Sequence, residues 1–230
     1  MNYIRKSEQR GTVNLGWLQS RHSFSFGSYY DPNHMGVSVL RVINDDIISP
    51  AKGFGMHAHR DMEIITYVTN GALKHEDSMG NSYVVPAGDV QRMSAGQGIM
   101  HSEFNASDTD TVKLLQIWIE PNVKGTLPSY EQKTVKQKGA LTSLVTPNGK
   151  EGSLSIQQNA SIYRLVLAQG GSFVLHTHQG MGYLHIIKGA LKLEGSDFYA
   201  GDAFAVSNGH AYEIKATKPL EALWFSLPTS

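Results

Sequence analysis

Short segments in which apolar and polar residues alternate dominate the chain, and no long stretch keeps apolar residues at helical spacing. Residues 36–43, 63–68, 114–119, 162–167 and 222–227 are rich in Val, Ile, Leu and aromatic side chains, and are separated by segments carrying Gly, Asn and Pro. Strands of this length, punctuated in this way and interspersed with 23 glycines, predict an all-β protein built as a sandwich or barrel.

A weak internal repeat divides the pattern in two. Gly71-Ala72-Leu73-Lys74 returns as Gly189-Ala190-Leu191-Lys192, an offset of 189 − 71 = 118, and His57-x-His59 returns as His176-x-His178, an offset of 119. The Gly88-Asp89 block, through Gly96, returns from Gly201-Asp202 to Gly209, an offset of 113. Three blocks in one order at nearly constant offset predict two copies of one β-barrel. The expected boundaries are a first domain over 1–121, a linker over 122–139 and a second domain over 140–230. Lys133, Lys136 and Lys138 read as the solvated face of that linker.

Composition narrows the chemistry. A chain of 230 residues buries a real core, and cysteine is absent, so no disulfide, thiolate metal site or thiol nucleophile is available. Lys plus Arg equals Asp plus Glu at 20 each, which supplies no electrostatic reason for nucleic-acid or membrane binding. The N-terminal residues carry no apolar leader and no apolar run approaches a membrane span, so the expected location is cytoplasmic.

Against that background two triplets stand out, His57-Ala58-His59 and, 42 positions on, His101-Ser102-Glu103. Side chains at i and i+2 of a strand project to one side, so each triplet presents two metal-competent groups together. Two such strands facing each other inside a barrel would supply three imidazoles and a carboxylate. That set suits Fe, Mn, Co, Ni, Cu or Zn and is too nitrogen-rich for Ca or Mg.

A strand carrying His-x-His with a following Glu63, a Gly turn, a Gly-Asp strand and a further His resembles the paired motifs of the cupin superfamily, and the duplication resembles a bicupin, two cupin-type antiparallel barrels or jelly rolls in tandem. Several strings narrow the resemblance to the pirin family: residues 16–26, Tyr29-Tyr30-Asp31-Pro32, residues 57–63, residues 75–81 and residues 93–103. The second half is similar only in general plan. Chain length and closing segments are most similar to bacterial pirin-like proteins with quercetin 2,3-dioxygenase activity. The resemblance implies His57, His59, His101 and Glu103 as ligands of a divalent metal, with iron the usual ion. It also implies a planar polyphenol and O2 as substrates. Cupins in general use the carboxylate at the place of Glu63 as a ligand, whereas pirins take theirs from Glu103. Glu63 is therefore expected beside the ligands, hydrogen-bonding an imidazole N–H or acting as a base, as Glu103 also could.

The remaining histidines read differently. His75 is expected as a hydrogen-bonded turn residue, His22 as packed on a strand face with Phe24 and Phe26, and His34 as a loop residue. His176, His178, His185 and His210 raise a second metal site in the C-terminal copy. No glutamate follows that pair, however, and the spacing of His210 and Glu213 puts them on opposite faces of a regular strand, so a decayed copy is expected. Trp17, Phe24, Phe26, Tyr29 and Tyr30 read as core, and some of Met56, Met62, Met93 and Met100 could line an apolar pocket. The leading expectation is a metal-dependent dioxygenase that opens the heterocycle of a flavonol such as quercetin and releases carbon monoxide. The alternatives are a metal- or redox-responsive binding protein without enzymatic activity, which also occurs among pirins, and a cupin isomerase of sugars. A pocket wide enough for a planar polyphenol favours the first.

Overall fold

The computed structural model describes residues 1, 3–177, 180–207 and 209–229. Among these, strands dominate, and the only helical segments are the 3-10 turns Ser7–Gln9 and Lys150–Gly152. No helix is long and apolar enough to cross a membrane.

Two β-barrels lie back to back. The first joins a seven-stranded antiparallel sheet to a four-stranded one. In spatial order the larger sheet runs Ser129–Thr134, Asp89–Ser94, Glu63–Asn70, Val112–Ile119, Leu40–Ile48, Leu18–His22 and Gly11–Asn14. The smaller runs Gly53–His59, Ile99–Asn105, Ala72–Asp77 and Ser82–Pro86. The second barrel is one nine-stranded sheet, with the long strands Met181–Leu193 and Ala211–Leu227 at its centre. Gly71 and Gly189, the repeated turn glycines, both adopt positive φ, at 75° and 83°. The tight reversal favours a residue without Cβ there, which is why the glycine recurs in both copies.

The stretch between the repeats is not wholly linker. Ser129–Thr134 pairs with Asp89–Ser94 and closes the edge of the first barrel's larger sheet. Lys133 lies within that strand and donates to the Ser153 carbonyl. At the other end of the chain, Tyr3–Arg5 pairs with Ala203–Val206 in the second barrel. Each barrel thus carries a strand from outside its repeat unit. Hydrophobic alternation alone does not reveal this exchange, because an edge strand contributes little periodic apolar surface.

The two larger sheets press together through a shared core. Ile43, Ile65, Tyr67, Leu115 and Ile117 meet Ile162, Tyr183, Leu223 and Phe225, all buried. Burying each such side chain contributes roughly 1.5–3 kcal/mol. The central strands of the first barrel therefore have two buried faces, one toward the second barrel and one toward the interior. This explains why Asp89–Ser94 is buried at every position, where simple alternation predicts every second one. Phe24 joins this core as expected.

Candidate metal centre

Inside the first barrel, the strands Gly53–His59 and Ile99–Asn105 place His101 directly opposite His57. The register then slips, and Glu103 faces Phe54. Two residues of one strand advance against three of the other, which is a β-bulge. The bulge turns Phe54 onto the same wall as the histidines and frees the Gly55 carbonyl, which accepts a 2.8 Å hydrogen bond from His57 Nδ1. A carbonyl only accepts, so Nδ1 carries the proton and Nε2 keeps its lone pair for a metal.

His57, His59 and His101 converge, with ring centroids 4.4–4.9 Å apart. One donor atom from each lies within 4.8 Å of the others. His101 is buried and neither of its ring nitrogens has a hydrogen-bond partner. A buried imidazole with two orphaned nitrogens is costly unless a ligand completes it, and a cation held between the three rings does so. Burial, followed by the neighbouring His57 and His75 rings, pushes His101 down to about 3. Burial, followed by His101 and His57, pushes His59 down to about 4. Both rings are neutral near pH 7, the form that ligates a metal. The donor set fits a divalent transition metal.

Glu103 joins the same pocket from one rung further along its strand. Its carboxylate accepts from Thr66 Oγ1 at 3.3 Å and from Gln116 Nε2 at 2.9 Å. It forms an overlapping group with His101 and His75, whose donor atoms also lie within 4.8 Å of one another. His75 is on the Ala72–Asp77 strand, fully buried, rather than in a turn as expected from the sequence. Its Nε2 donates to Asp77 at 3.0 Å and its Nδ1 accepts from Gln91 at 3.2 Å, so both nitrogens are engaged and the ring acts as a fixed wall beside His101.

Glu63 is not beside an imidazole, which corrects the sequence expectation. Its neighbour Ile64 lines the interior cavity, so Glu63 projects from the opposite face of the strand, toward the second barrel. There it accepts from Ser94 Oγ at 2.8 Å and from the Gln157 backbone at 3.3 Å. Burial raises its pKa, while those two donors and Arg92 oppose the rise.

The histidines open into a cavity of about 570 Å³. Trp17, Phe26, Phe54 and Trp118 supply aromatic walls, so two residues expected as plain core, Trp17 and Phe26, instead face the site. Trp118 meets the His59 ring edge-on at 4.9 Å. None of the four methionines near the ligands in sequence lines the cavity. Met93 and Met62 pack with Ile64 and Ile99, whereas Met56 and Met100 are exposed. His22 is buried on its strand face as expected and also reaches the cavity, while His34 bonds the Tyr3 hydroxyl. Thr66, Gln116, His75 and Asp46 were not singled out from the sequence as part of the site; only strand register brings them there.

In the second barrel His176 and His210 are exposed, and His185 is fully buried with Nε2 3.6 Å from Asp45 of the first barrel. His178 lies outside the described residues. Among the described residues, groups of three or more metal-competent side chains occur only in the first barrel.

Comparison with known proteins agrees with this geometry. The family model Pirin matches residues 3–119, and a quercetinase C-terminal cupin domain matches residues 143–227. Quercetin 2,3-dioxygenase of Escherichia coli strain K12 is 44% identical over 232 residues, covering 99% of both chains. The crystal structure of the bacterial pirin YhhW of Escherichia coli in complex with nickel(II) superimposes with a TM-score of 0.95 at 43% identity, covering 99% of each chain. The Escherichia coli protein YhaK is more distant, with a TM-score of 0.77 at 26% identity over 95% of this chain and 98% of its own. With one family model over the metal-binding barrel, a second over its partner and a full-length relative at this identity, the chain is a bicupin and belongs to the pirin family.

Proposed function

We propose that the protein is a metal-dependent dioxygenase that cleaves the heterocycle of a flavonol such as quercetin. The observation that carries this reading is the cluster of three histidines, with Glu103 beside it, at the wall of an aromatic-lined cavity large enough for a planar polyphenol. A protein that only sensed a metal would not need that space. The names of the full-length relatives support the same chemistry.

His57, His59, His101 and Glu103 would hold a divalent ion, iron in the first instance. When bound, the ion supplies Lewis acidity that lowers the pKa of the substrate's 3-hydroxyl and a redox partner for dioxygen. The rest of the task falls to the chain. Trp118 and Phe54 hold the flat ring system against the histidine wall and exclude water. Glu103, kept in place by Thr66 and Gln116, receives the 3-hydroxyl proton and leaves an electron-rich enolate. Both atoms of dioxygen end on the carbons flanking C3, and C3 departs with its own oxygen as carbon monoxide.

The test is anaerobic titration of the iron(II)-loaded protein with quercetin, followed by admission of oxygen with carbon monoxide trapped. Loss of the flavonol absorption with carbon monoxide released, absent in His101→Ala and Glu103→Ala, supports the reading. Metal bound without turnover overturns it for flavonols.

A further inference from the structure

The cavity has a second wall, opposite in character to the aromatic one. In the larger sheet, Thr66, Gln116, Asn44 and His22 are direct cross-strand partners in that order, on four neighbouring strands. Asp46 and Ser20 form a pair two residues along the same two outer strands. Side chains two apart on a strand share a face, and all of these but Thr66 line the cavity. The row therefore begins at the groups that bind Glu103 and runs away from it along the cavity.

Internal bonding ties this wall together without using up its polar capacity toward the cavity it lines. Gln116 and Thr66 bond Glu103, the Phe26 backbone holds the His22 ring and Ser20 the Asp46 carboxyl, while Asn44 Oδ1 is buried with no partner among the described residues. Each of these polar side chains is at least nine-tenths buried. An unsatisfied buried polar group such as Asn44 Oδ1 costs roughly 1–3 kcal/mol, and five polar side chains on one cavity wall, Ser20, His22, Asn44, Asp46 and Gln116, are too many for a surface built for packing alone. Apolar residues of similar size would give a more stable barrel.

We infer that His22, Asn44 and Asp46, with Ser20, form a hydroxyl-reading wall that selects polyhydroxylated aromatic substrates by bonding the ring hydroxyls remote from the reacting centre. The inference rests on the proposed flavonol reading and adds which flavonols the site takes. The chemistry is matched. Phenolic hydroxyls donate and accept, the carboxyl of Asp46 and the amide of Asn44 do both or either, and the aromatic wall supplies the stacking face that holds the rings in plane. Burial, with Glu103 and Asp45 nearby, raises Asp46 to about 7, against the lowering effect of Ser20 and Arg10. Near neutrality its carboxyl is therefore present in both donor and acceptor forms.

The experiment measures anaerobic affinity of the metal-loaded protein for two probes by quenching of tryptophan fluorescence. Quercetin carries four hydroxyls besides the 3-hydroxyl; 3-hydroxyflavone has the same reacting 3-hydroxyl and 4-keto group and none of the others. Being less polar, 3-hydroxyflavone would bind better in a merely apolar cavity. The expected result is a preference for quercetin of about tenfold or more, falling to within about twofold in Asn44→Leu. Thermal stability of that variant should be equal or higher, since an orphaned polar group has been removed. Ser20→Ala is the milder companion should Asn44→Leu fail to fold, and its ratio should fall in the same direction. Equal affinity of the wild type for both probes, or an unchanged ratio in the variants, overturns the inference. Aerobic turnover separates it from the reading beneath. Discrimination in binding without turnover sinks the dioxygenase and keeps the wall, turnover of both flavonols with equal kcat/KM does the reverse, and no binding of either probe sinks both.

Discussion

The two barrels began as one pattern and now differ in what fills them. The first keeps an open interior in which three histidines, a glutamate and a row of polar side chains share space with aromatic walls. The second is packed with apolar residues. Leu165, Leu184, Leu191, Phe198, Phe204, Ile214 and Trp224 form one buried cluster where the first barrel has its cavity. Trp224 lies so close over Gly182 that any Cβ there would collide with the indole. The lesson is that a binding interior and a stable interior compete for the same volume. After duplication, one copy keeps the polar-lined cavity while the other fills its interior with apolar side chains, and a shared core joins their larger sheets.

The contrast can be broken most directly at the metal. Removing a proposed ligand, as in His101→Ala, should abolish tight metal binding and activity in the first barrel. His176→Ala in the second should leave metal content at one ion per chain by elemental analysis. Two ions per chain in the wild type would end the division of labour.

Packing gives the next largest effect. Trp224→Ala should destabilise by roughly 3–5 kcal/mol, the usual cost of emptying a filled aromatic site. Trp118→Ala, which enlarges an existing cavity, should cost well under half of that in chemical denaturation. Similar costs would mean that the first barrel is as tightly packed as the second.

Stability should also depend on pH through Asp46. The folded protein holds the Asp46 proton up to about 7, whereas an ordinary Asp releases it near 3.8. The native state therefore binds more protons than the unfolded state between those values, and this group removes stability as pH rises through that window. Asp46→Asn should have no such penalty, so the variant of the metal-free protein gains on the wild type from pH 4 to pH 8, with a ceiling of about 4 kcal/mol. A constant difference across that range would show that Asp46 is ionised throughout.

Smaller still is the support around Glu103. Gln116→Leu removes its 2.9 Å donor and should weaken metal binding by about 10–100-fold, the usual range for groups that orient a ligand. Least of all, Glu63→Gln should leave turnover within about threefold, because its partners are Ser94 and Gln157. A loss comparable to that of Glu103→Ala would return Glu63 to the site.

Much of the candidate site was legible along the chain. His57 with His59, and His101 with Glu103, are separated by two residues, and strand geometry forces such pairs onto one face whatever the surroundings. The repeat of the Gly71 and Gly189 turns disclosed the duplication, because a positive φ strongly favours glycine. Glu63 was misplaced for the same reason that the pairs succeeded. Parity says which residues share a face and not what that face meets, and the other face of its strand lies against the second barrel. His75, Thr66, Gln116, Asn44 and Asp46 were hidden because they lie far from the ligands in sequence and reach the cavity through cross-strand register.

The sequence by itself therefore determined the all-β class, the tandem repeat and the three imidazoles and carboxylate, since each follows from local periodicity or residue chemistry. Only the tertiary structure decided which strands close each barrel, that Tyr3–Arg5 and Ser129–Thr134 pair outside their own repeats, and which polar groups line the cavity. Those depend on register, bulges and the packing of one sheet on another. These are long-range relations that no local pattern of apolar and polar residues encodes.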